Sequence, residues 1–191
     1  MLKELIDTYE ELKKYVFIIN RGTKKPIIIK FNDDNFYHLV GLHKININLF
    51  FPKYIKSKAK KYKYLKKNIN KFNNIIINQL QEKETLSLRM HTFKYIIDLL
   101  KNTQNTILYD LHQTPKGSMY KGDYGLLKVY QDFNCLLGLI TESETESLIF
   151  CLSQSWMASY KSNRLIENKR AQYIQNISIV PMDMFNKKEN K

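Results

Sequence analysis

Pro26-Ile-Ile-Ile-Lys-Phe-Asn-Asp-Asp-Asn-Phe-Tyr-His-Leu-Val-Gly-Leu-His-Lys-Ile45 is the stretch whose reading decides the fold. Pro26 to Phe31 is a run of strand type, rich in β-branched side chains. It stops at Asn32-Asp33-Asp34-Asn35, a cluster of turn formers. Asp34 or Asn35 can cap a short helix that starts at Phe36. Gly41 can end that helix in a left-handed conformation. The local pattern is strand, turn and short helix, with His38 and His43 close to the turn. Histidine trades a proton near neutral pH more readily than any other side chain. Phe36, Leu39, Val40 and Leu42 are core candidates, and the bland alternative makes the histidines fillers beside them.

Upstream, Leu2, Leu5, Ile6, Tyr9, Leu12 and Val16 recur at helical spacing, which predicts an amphipathic helix over 2–16. Val16-Phe17-Ile18-Ile19, the turn Asn20-Arg21-Gly22-Thr23 and the Pro26–Phe31 run predict a β-hairpin over 15–31. Residues 46–52 carry no decisive pattern, and Pro52 bounds them.

Downstream, lysines crowd residues 53–67. Lys53, Lys56, Lys58, Lys60, Lys61, Lys63, Lys66 and Lys67 alternate with Tyr54, Tyr62 and Tyr64, and no acid occurs between Asp34 and Glu82. Lysines neutralise phosphates and tyrosines stack on unpaired bases. Lys56, Lys58, Lys60, Lys61, Lys63, Lys66 and Lys67, with Tyr62 and Tyr64, are therefore candidate nucleic-acid contacts. The alternative is a solvated helix face in a chain whose Lys, Asn and Ile content reflects AT-rich coding DNA. The formal net charge of +13 also favours a polyanionic partner.

Leu65, Ile69, Phe72, Ile76 and Leu80 make one helical stripe. Leu86, Met90, Phe93, Ile97 and Leu100 make a second, so 53–102 is a basic helical hairpin set into the domain. His91 beside the second stripe is a bystander. Thr106–His112 reads as a strand or a short helix, and 114–125 as a glycine-bearing loop. Leu126–Gln131, Leu136–Ile140 and Leu148–Leu152 are apolar runs that predict an antiparallel meander. Asn176–Val180 is a last strand, closed by Pro181, and 185–191 is a polar tail. The expectation is a single α+β domain over 1–184. Its N-terminal half is helical with a β-hairpin, and a roughly four-stranded antiparallel sheet follows over 106–181.

Several chemistries lack their residues. No glycine-rich phosphate loop precedes a helix, no HExxH or paired acidic cluster suits a two-metal nuclease, and no Gly-x-Ser-x-Gly elbow occurs. Cys135 and Cys151 stand alone in apolar runs, as reduced core cysteines of a cytosolic protein do, and offer no zinc spacing. The expectation is no metal and no cofactor. The N-terminus lacks the basic-then-apolar order of a leader, and no apolar run approaches the ~20 residues of a membrane span. A cytoplasmic location without membrane contact follows as an expectation. What remains is metal-free acid–base chemistry, of the kind that cuts RNA: a base for the 2′-hydroxyl, an acid for the leaving oxygen and a cation for the phosphorane.

The arrangement Ile27-Ile-Ile-Lys-Phe31 followed by Asn35-Phe-Tyr-His38-Leu-Val-Gly41-Leu-His-Lys resembles the HLxG signature of phage-associated nuclease-like domains of the Barnase–EndoU–colicin–RelE group. The resemblance covers mainly residues 15–45, with looser agreement over 106–181. It implies helices before a four-stranded antiparallel sheet, metal-independent cleavage of RNA and a toxin carried by mobile elements. A protein antitoxin or immunity partner goes with that. Only His38 transfers by the motif.

His38 and His43 lie five residues apart. On one α-helix that is about 140° around the axis, so they converge only if Gly41 ends the helix. His43 and Lys44 are accordingly supporting candidates. Partners for His38 are sought in the sheet half: Arg164 as a phosphate clamp, and Ser153, Gln154 and Ser155 at a strand end, to bind phosphate or orient the histidine. Two alternatives to an RNase stay open: a non-catalytic nucleic-acid-binding accessory protein, and a small inhibitor that acts by protein–protein contact.

Overall fold

The computed structural model describes residues 1–81, 83–104, 106–111, 122–151, 153–159, 171–172 and 174–189. Its fold is α+β, with helices and a strand hairpin first and an antiparallel sheet after them.

Helix α1 (Leu2–Leu12) buries Leu2, Leu5, Ile6, Tyr9 and Leu12 along one face. It stops short of the expected residue 16, because the chain is already extended from Tyr15 as strand β1 (Tyr15–Arg21). Gly22 at φ +66 turns β1 into β2 (Lys24–Lys30), which completes the expected hairpin. Helix α2 (Phe36–Leu39) is a single turn. Two 3₁₀ turns, Leu42–Lys44 and Asn46–Phe50, follow it.

The basic segment forms two helices. In α3 (Lys58–Lys67) and α4 (Ile69–Leu80) the break falls at Asn68, whose side-chain amide donates to Tyr64 O at 2.9 Å. That amide occupies a carbonyl at the end of α3. Helix α5 (Glu84–Thr92) continues through a 3₁₀ turn at Phe93–Tyr95 into α6 (Ile96–Lys101).

Among the described residues the later elements are β3 (Thr106–Asp110), β4 (Tyr124–Val129), β5 (Asn134–Ile140), β6 (Ser143–Glu144), β7 (Ile149–Cys151), β8 (Ser153–Ser159), β9 (Ala171–Gln172), β10 (Asn176–Pro181) and α7 (Met182–Glu189). Among the described residues the strands form two five-stranded sheets, ordered β10-β1-β2-β7-β6 and β8-β5-β4-β3-β9. Pairing in the second is antiparallel throughout.

Two sequence expectations need correction here. The apolar run at 148–152 does not continue the meander. As β7 it pairs parallel with β2, Ile28 opposite Phe150, in the other sheet. The meander's next strand is β8, with Trp156 opposite Leu137. It was not legible as a strand because Gln154, Trp156 and Ala158, which are buried, alternate along it rather than run together, and the first of these is polar. The polar tail is helical in part. Asp183 stands in the first turn of α7, where a carboxylate suits the helix dipole, and the Phe185 ring lies 4.4 Å from Lys30 Nζ.

One continuous core joins α1, both sheets and the inner faces of α3–α6. Tyr9 is central to the part that matters for the site. Its ring meets Phe36 at 5.1 Å and Tyr62 at 5.6 Å, both edge-on. Such packing of buried rings holds the short α2 in place, which one helical turn could not do alone.

Candidate active site

Helix α2 is fixed at both ends by side chains far away in sequence. At its start, Asn35 Nδ2 donates to Gln154 Oε1 at 3.0 Å. Gln154 is 2% exposed, and its Nε2 donates to Lys30 O at 2.8 Å and Cys151 O at 2.9 Å. This amide therefore ties together the end of β2, the end of β7 and the entry to α2. Neither residue expected to cap α2 does so with its side chain. Asn35 is committed to Gln154, and Asp34 Oδ1 accepts from Ala59 N at 2.9 Å in the first turn of α3.

The other end of α2 is held by Arg89 from α5. Arg89 is 6% exposed. Its Nη2 donates to His38 O at 2.7 Å and Leu39 O at 2.8 Å, and its Nε donates to Leu39 O at 3.1 Å. These are carbonyls that the end of a helix leaves without partners. Burial lowers the guanidinium pKa to about 10, so it stays charged at neutral pH. Among the described residues no carboxylate pairs with it.

Gly41 then takes φ +84 and ψ 14. A Cβ there would stand 2.6 Å from Leu86 Cδ1 and 3.2 Å from Arg89 Cδ, so glycine is required both for the turn and for the close approach of α5. The reversal brings the 3₁₀ turn Leu42–Lys44 back against α2. His38 and His43 thereby stack, with ring centroids 4.3 Å apart and planes 20° from parallel. The condition for their convergence, a helix ended at Gly41, is met. His43 accordingly rises from supporting candidate to the direct partner of His38.

Both histidines are exposed residues whose rings are partly desolvated where they pack. The pKa of His38 is lowered, first by this desolvation and then by Arg89, Lys58 and Lys44. That of His43 falls to about 4, through desolvation, His38, Arg89 and Lys44, against a hydrogen bond to the Tyr37 backbone. Lys44 is lowered too, by desolvation and Arg89. The cluster is a small positive surface bearing two imidazoles that are uncharged at neutral pH. Lys83 braces it by donating to Lys44 O at 2.8 Å.

The lysine-rich stretch divides in two. Lys66 pairs with Glu10 at 3.0 Å, and Lys63 lies 3.8 Å from Asp33, so this part is committed to α1 and the loop before α2. Lys61 donates to Asn48 Oδ1 at 2.8 Å beside the Tyr37 and Phe51 rings. Lys56, Lys58, Lys60 and Lys67 make no ion pair among the described residues, and Lys58 is close enough to His38 to depress its pKa.

Two tyrosines do not fit the role expected of them. Tyr62 is fully buried and donates to Glu10 Oε1 at 2.6 Å. Tyr64 is half-buried against Phe51 and Phe72, at 6.0 Å from each. Tyr62 points inward because positions 62 and 65 of α3 form its buried stripe, which the lysine run conceals, and Tyr64 packs at its edge. Gln154 is likewise no phosphate ligand, since its amide is consumed by backbone and Asn35. Its part is to position α2. Ser153 and Ser155 lie in β8 opposite Ile140 and Gly138, but their side chains, like Arg164 as a whole, fall outside the described residues. His91 is exposed and bonds back to Ser87 O at 2.8 Å, as a bystander would.

Arg89 was missed in the sequence. Its signal was there: one of only four arginines in a lysine-rich chain, set inside the apolar frame Leu86-Ser-Leu-Arg-Met90. No described helix is long and apolar enough to cross a membrane. Comparison of the chain with protein-family models, with curated proteins and with solved structures yields no match.

Proposed function

We propose that this chain is a metal-independent, toxin-like endoribonuclease that cuts RNA over the His38–His43 pair. The observation that carries the reading is the stack itself. Two imidazoles face each other at 4.3 Å beside the charges of Lys44, Lys58 and the buried Arg89. No carboxylate pairs with either ring among the described residues. The resemblance of residues 15–45 to Barnase–EndoU–colicin–RelE domains points the same way.

A phosphodiester is the ligand such a face suits. Its negative charge offsets the desolvation and repulsion that discharge the rings, and one proton then becomes shareable between them. His43, the more strongly depressed ring, is the acceptor for the 2′-hydroxyl proton. His38 delivers a proton to the leaving 5′-oxygen, and Lys44 steadies the phosphorane. The products are a 2′,3′-cyclic phosphate and a 5′-hydroxyl. Arg89 acts through position, holding the backbone of His38.

Incubating the full chain with RNA in EDTA tests this. Cleavage is expected, with loss of at least about a hundredfold in His38→Ala. Absence of cleavage by wild type, or equal cleavage by His38→Ala, sinks the catalytic reading. The low pKa of His43 favours one second reading, a non-catalytic phosphate-binding face in an accessory protein. In that case RNA binds and is released intact.

A further inference from the structure

Among the described residues, the two largest exposures of apolar side chains, Leu49 and Tyr54, fall in one short segment that also holds Phe50. Leu49 is 81% exposed, Tyr54 77% and Phe50 39%. They flank the buried Phe51 and Ile55, so the segment is anchored by two side chains and presents three others outward. This ridge adjoins the histidine pair. Asn48, next to Leu49, accepts from Tyr37 OH at 3.1 Å and from Lys61 Nζ at 2.8 Å, and Tyr37 precedes His38. Lys53, Lys56 and Lys58 are exposed along the same segment.

We propose that Tyr54 and Phe50 form a stacking platform for unpaired bases, which makes single-stranded RNA the preferred ligand of this face. The inference rests on the reading that RNA occupies the His38–His43 site, and adds which form of RNA. Aromatic faces bind any base, and lysines between them meet the phosphates. A duplex hides its base faces, so it has only the lysines to bind. Charge complementarity selects a polyanion as occupant. Three side chains are also too few for the apolar centre of a protein interface of standard size.

The test uses the full chain carrying His38→Ala, so that the RNA survives. Fluorescence anisotropy measures affinity for an unstructured oligouridylate and for a blunt RNA duplex of equal length. Adding Tyr54→Ala is expected to weaken oligouridylate binding about tenfold, leave duplex binding unchanged and leave the salt dependence of both unchanged. Tyr54→Phe, which keeps the ring, retains the affinity. Equal affinities for the two RNAs overturn the inference, and so does unchanged oligouridylate binding in Tyr54→Ala. Loss in Tyr54→Phe as large as in Tyr54→Ala overturns it as well, by placing the effect in the hydroxyl. Failure here leaves cleavage by wild type untouched. Failure of wild type to cleave leaves the strand preference intact.

Discussion

Arg89 Nη2 donates to the main-chain oxygen of His38 at 2.7 Å, so a side chain of α5 holds the last turn of α2. Removing it as Arg89→Met leaves the carbonyls of His38 and Leu39 without their donors. It also relieves a buried charge, so the net loss is expected at about 1–3 kcal/mol. Arg89→Lys recovers only part, because an ammonium cannot present the fork. Urea unfolding reads the stability. An unchanged midpoint in Arg89→Met would show that the clamp contributes nothing.

Gly41 and Gly22 make a controlled pair. Both have positive φ, +84 and +66, but only Gly41 has neighbours where a Cβ would go. Gly22→Ala is expected to cost about 1 kcal/mol, the left-handed penalty alone. Gly41→Ala adds a collision with Leu86 and Arg89, for about 2–4 kcal/mol in all. Thermal melts distinguish the two. Equal losses would remove the packing argument.

The histidine pair makes folding sensitive to mild acid. His43 falls from 6.5 to about 4 in the folded state, so the unfolded chain binds the proton more readily between those values. Stability contributed by the neutral ring is present above about pH 6.5, is lost as pH falls toward 4, and changes no further below it. His38, lowered as well, acts in the same direction. His43→Gln should flatten the pH dependence of the urea midpoint over that window. Phosphate should raise both histidine pKa values in an NMR titration, and a titration unmoved by phosphate would count against an anion site.

Tyr62 supplies a negative control for RNA contact. Its hydroxyl donates to Glu10, whose carboxyl titrates at about 2. Desolvation raises that pKa, but the hydrogen bonds from Tyr62, Lys13 and Lys66 outweigh it. Tyr62→Phe is expected to cost about 1–2 kcal/mol of stability and to leave RNA affinity unchanged. The loss belongs to the ionised carboxylate, so it is full above pH 4.5 and shrinks as pH falls toward 2. Weakened RNA binding with unaltered stability would return Tyr62 to the surface.

The elements near the histidines were legible from local chemistry. Strand, turn and the one-turn helix at Phe36 follow from β-branched runs, turn formers and a glycine at Gly41. The stack of His38 on His43 was conditional on that glycine, and helix geometry alone argued the other way. Arg89 escaped, and Gln154 was named without its tether to Lys30 and Asn35, because each acts on a part of the chain far away in sequence, at separations of 51 for Arg89 to His38 and 124 for Gln154 to Lys30. No periodicity encodes such a contact. The parallel pairing of β7 with β2 was hidden for the same reason, while the antiparallel β4–β5 pair, joined by a short turn, was plain.

Strand β1 has β2 on one edge and β10 on the other, and β2 is completed by β7. A ribosome therefore releases the hairpin well before the strands that flank it. Until Gln154 and β10 have emerged, the hairpin keeps bare edges and α2 lacks its tether at Asn35. The start of the helix that carries His38 is thus tethered only after more than a hundred further residues have been made.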